Sequence, residues 1–105
     1  MSQLQKNLTQ ALELSQRIFD LAQDSAWSDM EQADRQRRPF LESIFNDREF
    51  KLKPGDYESQ MRQIVALNEQ ALALCAEARG ELSKQGRNLK LGRQALSAYK
   101  NNSFD

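Results

Sequence analysis

A chain of 105 residues makes one domain and, if its helices are elongated, only a thin core. Its 15 Lys and Arg balance 15 Asp and Glu, which argues against a nucleic-acid partner held by bulk attraction. Histidine is absent, which removes the commonest general base and metal ligand; the one cysteine leaves no internal disulfide and suits a reducing cytoplasm.

The first helix is predicted over residues 2–24. Leu4, Leu8, Ala11, Ser15, Ile18 and Ala22 fall on one seam, with Leu12 and Phe19 widening it. Gln5, Lys6, Gln10, Glu13, Arg17 and Asp20 make a solvated opposite face. The break at Gln23-Asp24-Ser25 is short enough to force an antiparallel neighbour. Ser25 can cap the next helix, and Ser28 with Glu31 forms an alternative capping box.

The second helix, over residues 26–46, presents Trp27, Met30, Ala33, Arg37, Phe40, Leu41, Ile44 and Phe45. Trp27 is expected to cover the corner with the first helix. Arg35, Arg37 and Arg38 read as a solvated face, and Pro39 as a kink in a helix that continues to Asn46. Residues 47–56 read as a charged loop that Phe50 and Leu52 tuck against the helices.

A long amphipathic helix follows over residues 57–85, with Asp56 at its N-cap after the Pro54-Gly55 turn. Nearly thirty residues at about 1.5 Å each make a rod of roughly 43 Å, along which the other helices must lie. Its apolar positions include Met61, Ile64, Val65, Leu67, Leu72, Leu74 and Cys75, and Asn68 interrupts the stripe, where it either sets register or stands at the core edge. Glycines at 80, 86 and 92 then change the texture, and Gly86 is the best C′ residue. A short, mobile helical segment over residues 88–100 carries Leu89, Leu91, Leu96 and Tyr99. Charge is uneven: residues 1–34 hold Lys6 and Arg17 against six acids, while 79–100 hold six bases against Glu81 alone.

The fold class expected is all-α, an antiparallel three-helix bundle built on the long third helix. No catalytic constellation, phosphate loop or metal-ligand spacing is present in the sequence, and Cys75 falls on the apolar stripe as an inert thiol. No run is apolar enough for a transmembrane span or signal peptide, so no membrane insertion is expected. The reading is therefore a binding module with no enzyme activity and no cofactor. A thin bundle of this kind leaves a groove for a partner's amphipathic helix.

Trp27-x-x-Met30-Glu31, Ile64-Val65-x-x-Asn68-Glu69, Arg79-Gly80-Glu81-Leu82 and the ending Leu96-Ser97-Ala98-Tyr99 together resemble the FliT family of flagellar export chaperones, from about Leu4 to Tyr99. The resemblance implies a cytoplasmic chaperone of flagellar type III export whose client is the C-terminal amphipathic helix of the filament-cap protein. It also implies contacts with the export ATPase complex and, in some bacteria, with a flagellar transcription activator. The groove would involve Phe40, Leu41, Ile44, Ile64, Leu67, Asn68, Leu72 and Cys75. A C-terminal segment regulating access to it would act through Leu89, Leu91, Leu96 and Tyr99. Two readings stand beside this one: a chaperone for hook–filament junction proteins, and a helical interaction module of another kind. Monomer and homodimer are both left open.

Overall fold

The computed structural model describes residues 2–79, and the expected segment with Leu89, Leu91, Leu96 and Tyr99 lies outside them. The described residues form four α-helices and one 3₁₀ turn, with no strand among them. Helix α1 is Gln3–Gln23, α2 is Trp27–Asn46 and α3 is Arg48–Leu52; the 3₁₀ turn Pro54–Tyr57 leads into α4, Glu58–Arg79.

Helix α1 begins where Ser2 accepts a hydrogen bond from the Gln5 amide at 3.1 Å, satisfying one of the orphan donors of the first turn. Its buried set is the seam Leu4, Leu8, Ala11, Ser15, Ile18 and Ala22, joined by Asn7. Its end corrects the sequence reading of Ser25. That residue does not cap α2; it takes a left-handed conformation, φ 57°, and closes α1. The Ser25 amide bonds the Ala22 carbonyl at 3.1 Å and the Ala26 amide bonds the Leu21 carbonyl at 2.9 Å. This is a Schellman ending with serine where glycine is preferred. Helix α2 then starts from Ala26 with no side-chain cap. A left-handed serine is strained by its Cβ, so Ser25→Gly is expected to raise stability by about 0.5–1 kcal/mol in urea unfolding, after the entropy of glycine is offset.

Helix α2 runs through Pro39 to Asn46 without a break. Pro39 is exposed and lacks the N–H that would bond the Arg35 carbonyl, yet packing on both sides carries the helix past it. The stretch read as a loop is more ordered than that. Asp47 caps α3 by accepting from the Phe50 amide at 3.1 Å. Phe50 is buried and meets the rings of Phe45 and Tyr57, each with centroids 5.9 Å apart. Leu52 does not tuck in; it is 71 % exposed, because one turn of helix cannot point residues 50 and 52 the same way. Asp56 lies within the 3₁₀ turn instead of capping α4.

Two apolar clusters give the topology. The first joins Leu4, Leu8 and Ala11 of α1 to Leu41 and Ile44 of α2, Phe50, and Met61, Ile64 and Val65 of α4. The second joins Ile18 and Ala22 to Met30 and Ala33, and to Ala71, Leu72 and Cys75. Trp27 packs on this second cluster, at the corner between α1 and α2. As α1 advances from one cluster to the other, α2 runs backwards and α4 runs forwards, an up–down–up bundle. Helix α1 is the one flanked on both sides by close backbone approach, with α2 and with α4. Across the third seam, α2 and α4 meet through side chains such as Arg37 with Asn68 and Met30 with Cys75.

Candidate functional site

Between the two apolar clusters lies a polar layer that takes one position on the apolar stripe of each long helix. Ser15 comes from α1, Arg37 from α2 and Asn68 from α4; all three are buried, and Asp34 joins them from the turn of α2 before Arg37. Arg37 donates from Nη1 to Ser15 Oγ at 3.1 Å, and from Nη2 to Asp34 Oδ1 and Asn68 Oδ1, both at 2.8 Å. Ser15 Oγ in turn donates to the Ala11 carbonyl at 2.7 Å. Arg38 closes the other side of Asp34, donating from Nε and Nη2 to Oδ2 at 3.1 and 2.8 Å. Arg37 Nε is buried with no hydrogen-bond partner.

Burial, with a smaller push from the Arg38 charge, pulls the Arg37 guanidinium below its ordinary range, opposed by the attraction and hydrogen bond of Asp34. The layer therefore depends on full pairing. Removing one partner leaves a charge stranded in an apolar interior, whereas the intact pair adds little net stability.

The reading of Arg37 as solvated is thus overturned: the residue is wholly buried. The signal was available. Arg37 stands at helical spacing with Ala33, Leu41 and Ile44, and Ser15 and Asn68 stand likewise on the seams of their helices. One polar residue near the middle of each stripe marks a layer. Arg35, by contrast, is exposed and pairs with Glu31 at 2.9 Å on the surface.

Of the groove residues expected from sequence, Leu41, Ile44, Ile64, Asn68, Leu72 and Cys75 are buried. Phe40 is half-buried against the first cluster. Leu67 is half-buried and belongs to neither cluster. Cys75 Sγ lies 3.9 Å from Met30 Sδ in the second cluster. Of these, Asn68 and Cys75 touch α2 directly, through Arg37 and Met30.

Among the described residues no group of His, Cys, Asp or Glu could hold a metal ion. No described helix is long and apolar enough to cross a membrane. The clefts described are open and charged, such as one of about 440 Å³ lined by Asp47, Arg48, Glu49, Leu52 and Lys53. A small-molecule site is usually enclosed and mostly apolar.

Comparison with known proteins agrees with a binding role. A family model described as flagellar protein FliT matches residues 5–101. No curated protein and no solved structure matches the chain.

Proposed function

The chain belongs to the FliT family of flagellar export chaperones, and we propose that it holds the C-terminal amphipathic helix of the filament-cap protein before export. The observation that carries this is the family match over residues 5–101 on an all-helical frame. The seam between α2 and α4, joined by side chains, is the seat for the client. Phe40 and Leu67 form its outer edge. Leu41, Ile44, Ile64, Asn68, Leu72 and Cys75 become available as α4 parts from α2. The segment with Leu89, Leu91, Leu96 and Tyr99 competes for the same seat and so lowers apparent affinity by the fraction of time it is docked. The export ATPase complex and a flagellar transcription activator are further partners under this reading, which places the chain in the cytoplasm.

Physically, a chaperone is what such a client needs. A helix that later packs into an assembly would otherwise aggregate through its apolar face, and covering about 800 Å² on each partner is enough to prevent that. Two results test the reading. A chain ending at Gln85 is expected to bind the cap-protein helix more tightly than the full chain; equal affinity would remove the competing segment. A junction-protein fragment is expected to bind at least about tenfold more weakly than the cap fragment, a difference of about 1.4 kcal/mol.

Leu67→Asp supplies a residue-level check. Leu67 lies outside both core clusters, so the change is expected to move stability by less than about 1 kcal/mol. Client affinity is expected to fall at least about tenfold, because a charge would be buried without a partner in the complex. Unchanged affinity in titration calorimetry would take Leu67 out of the seat.

A further inference from the structure

Helix α4 carries an ambiguity that its apolar residues cannot resolve. Its buried face repeats at Met61, Ile64, Val65, Asn68, Ala71, Leu72 and Cys75. A slide of three residues, about 4.5 Å along the axis, would bring Ile64, Leu67, Asn68, Ala71, Leu74, Cys75 and Ala78 to those seven places, still an almost wholly apolar row. The residues three and four away from Asn68 are Val65, Ile64, Ala71 and Leu72, all apolar and all buried. Helices α1 and α2 are joined by the short link Asp24 to Ala26, whereas α4 follows the longer connection from Asp47 to Tyr57, which Phe50 anchors in the first cluster. Side-chain packing alone therefore gives a second near-equivalent seat, whereas a four-residue slide would bury Glu69.

We propose that the Ser15–Asp34–Arg37–Asn68 layer is the device that selects one seat, with Arg37 as the positioning residue and Asn68 as the mark it reads on α4. In the observed register Asn68 Oδ1 accepts from Arg37 Nη2 at 2.8 Å. That slip would set Ala71 opposite the guanidinium, which would lose that acceptor, and would move Asn68 to the place of Val65 in the first apolar cluster. Both changes leave buried polar atoms without a partner, although Arg37 keeps Asp34 and Ser15. The layer thus adds little to stability in the right register and weighs against the slipped one. A lone polar position in a helical seam is the best-attested way of fixing register.

Three variants of the full chain test this. Asn68→Asp keeps an acceptor of the same size opposite Arg37, and Asn68→Leu keeps the volume but removes the acceptor. A fourfold variant, Ser15→Ala with Asp34→Leu, Arg37→Met and Asn68→Leu, replaces the layer with apolar side chains. Asn68→Asp is expected to melt close to the parent chain, and Asn68→Leu about 4–8 °C or more below it. The fourfold variant is expected to melt at or above the parent, yet to show more than one set of amide resonances for α4 where the parent shows one. A single set in that variant would overturn the proposal. Equal melting of Asn68→Asp and Asn68→Leu would overturn it too, and this comparison decides alone if the fourfold variant does not fold.

Discussion

Asp34→Ala is expected to lower the unfolding free energy by about 3–5 kcal/mol, a large part of what a domain of this size has. The carboxylate is wholly buried and holds both Arg37, at 2.8 Å, and Arg38, at 2.8 Å. Alanine would leave the Arg37 guanidinium in the interior with only the neutral acceptors Ser15 and Asn68. The cost comes from that stranded charge, not from the pair's own strength. Hence Asp34→Leu combined with Arg37→Met is expected to recover most of the loss, since it removes both charges together. Urea unfolding followed by circular dichroism measures both. A loss under about 1 kcal/mol for Asp34→Ala would mean that the layer is hydrated and cheap.

Leu8→Ala and Ile18→Ala are each expected to cost about 2–5 kcal/mol, because both residues are fully buried on the helix that packs against α2 and α4 alike. They lie in different clusters, ten residues apart along α1, or about 15 Å. The two clusters should therefore respond independently. The milder pair Ile18→Val and Ile44→Val tests this within a chain that stays folded. Each is expected to cost about 0.5–1.5 kcal/mol, and their sum should hold within about 0.5 kcal/mol. A marked departure from additivity would show that the polar layer transmits strain between the clusters.

How much of this could be read from the residues varies with the kind of signal. The apolar seam of α1 was legible because six positions at heptad spacing mark it on a helix with one solvated face, while the buried Asn7 beside it carried no such signal. The all-helical class followed for the same reason. What periodicity could not show is which helix lies between the others. The third helix is conspicuous in sequence, but α1 has the close neighbours on both sides, a property of the assembled bundle. Ser25 was misread because serine is a common N-cap, while its left-handed φ 57° is fixed by the Schellman bonds to Ala22 and Leu21.

The polar layer was the largest omission. Arg37 was placed on the stripe with Ala33, Leu41 and Ile44, yet it was then read with Arg35 and Arg38 as a solvated face. Position outranks type here: Arg35 also follows an acid by one turn, yet it stands off the stripe and is exposed, whereas Arg37 stands on it and is buried. Leu52 shows the converse, an apolar residue left 71 % exposed because α3 has only one turn and spends its inward direction on Phe50. The residues of the seat were legible as a list, but a core leucine and a client-facing leucine share the same spacing. Only burial separates Leu67 from Ile64.

The most direct test of the account is calorimetric titration of the full chain with the C-terminal helical fragment of the filament-cap protein, at several temperatures. A saturable isotherm with a negative heat-capacity change is predicted, since burial of the client's apolar face leaves that mark. Leu67→Asp should weaken it at unchanged fold. No heat and no complex at any temperature would contradict the chaperone reading and leave a well-made helical bundle whose client lies elsewhere.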